Sequence, residues 1–312
     1  MTVGSIEPIA FLVVNARSPC LPSSTFNTLP TSTMPYPISK LAYGIRSRLS
    51  ELATPSERYQ FQIAAGNPSI CPPKVQLLQR PSSNWSLTSA HGNVSVTFDN
   101  SQLYPIFDHN NLYYCGTTLN LDNMSLADLS SPIFHNFLLR PNTLRFNART
   151  VVCERFIAKL SKLTAGRVKT FEEFAIEAAD DVGFRDLFSA FRRLNRVTTY
   201  YGIVPTPTWM TDILENQGKK LSFLSIKGTP GQLGEFTASE VITFLRAQKT
   251  GCELWVTILP SSAMTEVADY DYVNSMKRTF KNYVKENPQH LFYKSQSGVD
   301  HISISVLSFR LP

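Results

Sequence analysis

From Tyr36 onward, Ile38, Leu41, Ile45, Leu49 and Leu52 step by three or four residues, the period that lines one face of a helix. The pattern predicts a helix that ends near Ala53. In the next stretch, "ATPSERY", Thr54 is placed to accept from the unpaired N–H groups of a second helix, and Pro55 suits its first turn. Glu57 stands three residues after Thr54, as in a capping box. Tyr59, Phe61, Ile63 and Ala64 supply the apolar side of that helix, and Gly66-Asn67 its end. A helical hairpin over 34–67 follows from the pattern.

The rhythm then changes. Two adjacent prolines in "SICPPKVQLLQRPSSNW" forbid a regular helix, and from Val94 to Leu121 alternation in "VSVTF" and "TLNL" predicts a small strand pair around the polar loop "DHNN". After Ser125, helix-like and strand-like segments alternate: "SLADLSSPIFHNFLL" helical, "TLRFNA" strand, "CERFIAKLSKL" helix, "FEEFAIEA" strand, and so on to the last strands "LFYK" and "HISISVLSF". Strands are expected to begin near Thr143, Glu172, Arg196, Leu221 and Glu253. Such regular spacing is the mark of a stacked helix-strand solenoid, although a doubly wound parallel sheet also alternates. The expected fold class is α/β, with the hairpin followed by a leucine-rich-repeat-like solenoid. Its divisions are a mobile leader over 1–33, rich in Pro, Ser and Thr, a helical unit over 34–67, a linker with the strand pair over 68–124, and the repeat-like region over 125–312.

At 312 residues and 43% hydrophobic, the chain carries enough apolar material for a substantial core. No run reaches the roughly 18 apolar residues of a spanning helix, and no secretory signal is read at the start, so a cytoplasmic or nuclear location without a membrane partner is expected. Five scattered cysteines form no C-x-x-C pair, and five histidines show no metal-ligating spacing. No cofactor or metal is expected. The net charge of +6 is unevenly spread: Lys40, Arg46, Arg48, Arg58, Lys74 and Arg80 face only Glu51 and Glu57 between Met34 and Arg80, which favours an acidic partner for that segment.

Other candidates for chemistry reduce to structure. "KGTPGQLGE" lacks the G-K-[ST] ending of a phosphate loop and reads as a turn. Asp108 beside His109 has no accompanying nucleophile motif and reads as an Asx-type turn. The adjacent pairs Glu172/Glu173 and Asp180/Asp181 split across two faces, which suits a solvated rim better than acid-base catalysis. Phe184, Phe188 and Phe191, and separately Phe280 and Tyr283, have the spacing of buried helix faces rather than of base-stacking platforms. These readings point away from an enzyme and from a nucleic-acid binder.

"MPYPISKLAYGIRSRLSELATPSERYQFQIAAGN" resembles a divergent F-box, with Pro35 before the first helix, the apolar series from Ile38 to Leu52, the break at Thr54-Pro55-Ser56-Glu57, and Tyr59 and Ile63 in the second helix. The chain is similar to the large nematode families of F-box-like proteins, and "HNNLYYC" and "LSSPIFHNFLLRP" read as phrases from them. The resemblance implies a noncatalytic substrate-recognition adaptor of a cullin-RING ubiquitin ligase. Pro35, Ile38, Leu41, Ile45, Leu49, Pro55 and Tyr59 would anchor a Skp-type adaptor, with Arg46 and Arg48 at the rim, and the repeat region would hold a protein substrate. Arg145, Thr198, Tyr200 and Ser222 are expected on its target-binding strand face. The alternatives are a repeat-type interaction scaffold without a ligase link, in which the hairpin is a cap, and a nucleic-acid-binding protein.

Overall fold

The computed structural model describes residues 40–65, 75–80, 84–98, 108, 110–147, 150–174, 182–200, 202–259, 294–297 and 302–305, with parts of 271–285. The expected leader, Pro35, Ile38, the Gly66-Asn67 stop, Asp180/Asp181, Phe280 and Tyr283 lie outside these residues.

Two helices form on either side of the expected break, α1 over Tyr43–Leu52 and α2 over Pro55–Ala65; α1 ends as the apolar series predicts but begins after Leu41, which the series had placed within it. Thr54 and Glu57 make the expected capping box. The Glu57 carboxylate accepts from the Thr54 N–H and hydroxyl, each at 2.9 Å, and the Glu57 N–H donates to Thr54 Oγ1 at 3.3 Å. A Cβ at Gly44 meets no atom within 4 Å. Replacement by alanine therefore adds only helix propensity, and because Gly44 lies in the first turn G44A is expected to stabilise α1 by up to about 1 kcal/mol, read as at most a roughly fivefold rise in amide-exchange protection confined to that helix.

The remainder is a mixed α/β fold with two sheets. Strands β1 (Leu78–Gln79), β2 (Asn84–Ala90), β3 (Asn93–Phe98), β4 (Leu112–Cys115), β5 (Thr118–Asp122), β6 (Phe137–Leu139) and β7 (Thr143–Phe146) come first, followed by α3 (Glu154–Leu163), β8 (Thr170–Glu173), α4 (Phe184–Ala190) and β9 (Arg196–Thr198). Then come α5 (Trp209–Asn216), β10 (Phe223–Gly228), α6 (Pro230–Leu233), α7 (Ala238–Ala247), β11 (Glu253–Ile258), β12 (Lys294–Ser297) and β13 (Ile302–Ser305). Among the described residues the larger sheet has ten strands in the order β12-β13-β11-β10-β9-β8-β7-β5-β2-β3, and the smaller has three in the order β1-β4-β6. Neighbours from β2 through β11 are parallel, while β3 at one margin and β13 with β12 at the other pair antiparallel.

The two sheets share their connections. β4 and β6 lead within a few described residues into β5 and β7, so two chain segments bend from the small sheet into the large one, and β1 and β2 are likewise consecutive strands of the two sheets. Gly116 sits at one bend, where a Cβ would lie 2.2 Å from the Tyr114 ring. Trp85 fills the corner, fully buried, with ring centroids of Tyr113 at 5.5 Å and Phe137 at 5.0 Å, and its Nε1–H donates to the Tyr114 carbonyl.

The spacing of strands is close to that expected, but the regular helix-strand solenoid is not what the chain forms. A solenoid repeats one unit that contacts only its neighbours. Here antiparallel pairs close both margins, the early returns run through 3-10 turns and later ones through α-helices, and a second sheet forms alongside. The sequence reason is visible in "LYYC" and "FLL": both are mostly buried runs rather than alternating ones, as suits strands covered on both sides. Pro132 likewise interrupts the segment read as helical, which becomes 3-10 turns at Asp128–Ser130 and Pro132–Asn136 before β6.

One core unites these parts. The inward residues Leu144, Phe146, Phe171, Val197, Leu224, Ile226, Leu254 and Val256 are fully buried and pack in the same cluster as Phe156, Leu160, Phe184, Phe188, Trp209 and Phe244 from the helices. Thr237 and Glu240 cap α7 as Thr54 and Glu57 cap α2. In both boxes the threonine N–H, and next its hydroxyl, hold the glutamate pKa below its ordinary value. A depressed folded pKa contributes stability above the unfolded value, about 4.3, that is lost as pH falls through the folded one. Helix ends α2 and α7 are expected to fray on acidification, and in E240A the α7 part of that dependence should vanish when amide exchange is followed against pH.

Candidate functional site

Alternation along the central strands gives the large sheet a second face, opposite the helices. Thr143 and Arg145 on β7, Thr170 and Glu172 on β8, Arg196 and Thr198 on β9, Phe223 and Lys227 on β10, and Glu253 and Trp255 on β11 are half-buried or exposed, while their neighbours point into the core. In-register pairing lines up Asn120, Arg145, Glu172, Thr198, Ser225 and Trp255 in one row across the sheet.

Charge and aromatic rings interleave on this face. Arg145 bonds Glu172 through Nε at 2.8 Å and Nη2 at 2.6 Å. Its guanidinium lies 5.9 Å from the Phe174 ring, which meets the Tyr200 ring at 5.4 Å. Lys227 Nζ lies 3.7 Å from the Tyr200 centroid, and burial lowers its pKa, partly offset by Glu173. Arg196 stands 4.6 Å over Phe223, whose ring is 5.5 Å from that of Trp255. The result is a surface on which cations and aromatic rings interleave.

The strand-face residues expected from the sequence divide. Arg145, Thr198 and Tyr200 belong to this surface. Ser222 does not contribute a free hydroxyl, because its Oγ donates to the Asn195 carbonyl at 3.0 Å before β10 begins. Phe174, Phe223, Lys227 and Trp255 were missed, although the period-2 alternation of β10 and β11 carried the signal for the last three. Glu172 and Glu173 do split across two faces, but Glu173 is no rim residue: it is fully buried and accepts from the N–H groups of Gly202 and Ile203 at 2.6 and 3.0 Å. The Asx-type turn is present, with Asp108 Oδ1 accepting from Asn110 and Asn111.

The hairpin presents a different surface. No residue of α1 is buried, yet Tyr43 is 64%, Ile45 53%, Leu49 39% and Leu52 69% exposed. Leu41 and Tyr59 are half-buried, whereas Pro55 is buried within the chain. Ile63, expected on the covered side of α2, is exposed. α2 is the helix that joins the body, touching the 3-10 turn at Pro132–Asn136 and β6. The Arg58 Nε–H donates to Gln76 Oε1 at 3.0 Å, and Gln62 exchanges hydrogen bonds with the Gln76 backbone.

Elsewhere, Cys115 and Cys252 are buried, which pushes both thiols up to about 12. A cleft of about 750 Å3 opens beside α7, where Glu235, Thr237, Glu240 and Asp271 surround Phe236 and Tyr272. Among the described residues, no group of three or more His, Cys, Asp or Glu is placed to hold a metal, and no helix is long and apolar enough to cross a membrane. The chain matches no known protein-family model and no curated protein.

Proposed function

We propose that the protein is a noncatalytic adaptor of the F-box-like kind. Its α1–α2 unit docks a Skp-type adaptor of a cullin-RING ubiquitin ligase, and the open face of the large sheet holds the protein to be modified. The observation that carries this reading is the apolar face of α1: a helix with three large exposed apolar residues on one side, Ile45, Leu49 and Leu52, and none buried contributes little to its own fold and is suited to a partner's groove. Arg46 and Arg48 on the same helix complement an acidic partner. Co-purification of the full chain with the Skp-type adaptor tests the reading, and absence of a complex at micromolar concentrations of both would overturn it.

One observation favours a second reading, an interaction scaffold without a ligase link. α2 packs on the body, and Arg58 and Gln62 hydrogen-bond Gln76, as in a capping unit. Deletion of residues 40–65 separates the two: a cap takes the melting transition of the remainder with it, whereas a docking handle leaves that transition in place.

A further inference from the structure

The turns that lead into the parallel strands stack on one another. Thr143 N–H donates to Thr117 O, Lys169 and Thr170 N–H to Asn142 O, Asn195 and Arg196 N–H to Lys169 O, Ser222 and Phe223 N–H to Asn195 O, and Lys249 N–H to Leu221 O. Close approach is enforced at Gly218, where a Cβ would lie 2.4 Å from the Arg192 carbonyl. Five consecutive turns thus form one edge of the sheet, spaced like its strands.

That edge is basic throughout. The turns 139–143, 163–170, 190–196, 216–222 and 247–253 carry Arg140, Arg167, Lys169, Arg192, Arg193, Arg196, Lys219, Lys220 and Lys249, against the single acid Glu253. Arg140, Arg167, Arg193 and Lys220 occupy equivalent places, two residues before the ladder positions Asn142, Lys169, Asn195 and Ser222. All nine are exposed except Arg140, which is half-buried, and none forms an ion pair with a described residue.

Stability does not account for the arrangement. Basic residues in a last helical turn answer the helix dipole, as Lys162 and Arg246 do, but that effect fades beyond the helix end. Arg167, Lys169, Lys219 and Lys220 lie past it. Like charges in file repel, and burial first and Arg167 second disfavour the charged form of Arg140. An anion laid along the edge would relieve the repulsion.

We propose that this rim binds an acidic segment of the target protein, a run of Asp and Glu in extended conformation. The proposal rests on the reading of the adjoining open face as the target surface, with which the rim is continuous through Arg196. Strands about 4.8 Å apart place the five turns along about 19 Å, and an extended chain presents same-side carboxylates about 6.7 Å apart, so about three or four fall on the rim. A peptide fits better than a nucleic acid. Bases need open aromatic rings, but Phe191, the one aromatic in these turns, is fully buried, and the nearby faces of Phe223 and Tyr200 carry Arg196 and Lys227.

The experiment measures binding of labelled polyglutamate, and of a single-stranded oligonucleotide of equal charge, to the full chain by fluorescence anisotropy. Polyglutamate is expected to bind more tightly than the oligonucleotide and to weaken with salt. The combination Arg167→Glu, Arg193→Glu and Lys220→Glu should weaken it about 100-fold, the glutamine series by less, and Arg155→Glu on α3 hardly at all. These residues are exposed, and unchanged melting curves verify that the fold persists. No polyglutamate binding, equal binding by the triple variant, or tighter binding of the oligonucleotide would each overturn the proposal. Capture of the Skp-type adaptor is a separate readout: its loss with polyglutamate binding retained refutes the ligase reading alone, and the reverse refutes the rim alone.

Discussion

Ile45→Asp combined with Leu49→Asp is expected to weaken capture of a Skp-type adaptor by roughly three orders of magnitude while leaving the melting temperature unchanged. The two side chains stand one turn apart on α1, both exposed, on a helix that buries none of its residues in the chain's own core. Apolar anchors at the centre of such an interface cost about 2 kcal/mol or more each when removed, and each 1.4 kcal/mol is tenfold in affinity. Two carboxylates added beside an acidic partner further oppose association. The comparison of binding isotherms with thermal melts is decisive: unchanged affinity with an unchanged melt excludes α1 as the docking face. A scaffold without a ligase link, in which the hairpin serves only as a cap, predicts no capture of the adaptor by either protein.

Glu173→Ala is expected to destabilise the fold by about 3 to 5 kcal/mol. The carboxylate is fully buried at the end of β8 and is the acceptor for the N–H groups of Gly202 and Ile203, which follow β9. Truncation strands two buried donors and leaves a cavity where the side chain stood. Because the loop it holds begins beside Tyr200, its release should also loosen the Phe174–Tyr200 contact at 5.4 Å and the Lys227 contact with Tyr200. Denaturant unfolding measures the first effect, and Tyr200 ring signals in NMR the second. E173Q, which keeps an acceptor at one oxygen, should fall between wild type and alanine, and equal stability of all three would contradict this account of the carboxylate.

Much of the local structure was legible in the sequence. Thr54 and Glu57 announced the start of α2 because a capping box closes within four residues. Strands near Thr143 and Arg196 were readable because period-2 alternation is a property of the strand itself. Arg145 and Thr198 could be assigned to a strand face for the same reason. The failures have a common origin. "SLADLSSPIFHNFLL" has the periodicity of a helix, but Pro132 and pairing with β4 make it 3-10 turns and a strand. Glu173 was read as solvated because adjacency splits a pair across two faces, and nothing local says that the inward one meets Gly202 and Ile203. The rim is not legible in the sequence, since its basic residues come one to three to a turn, unremarkable at the end of a helix or strand, until the turns are laid side by side.

By itself, then, the sequence determined most of the helices and strands from Thr143 to Ile258, where α2 begins, and which strand residues lie on alternate faces. These depend on caps and periodicities that act over a few residues. Only the tertiary structure decided that antiparallel pairs close the sheet at both margins, that β1, β4 and β6 form a second sheet, that α1 is left uncovered, and that Arg140, Arg167, Arg193 and Lys220 stand in file. Those outcomes depend on partners remote in sequence, chosen by the burial that the whole chain achieves at once.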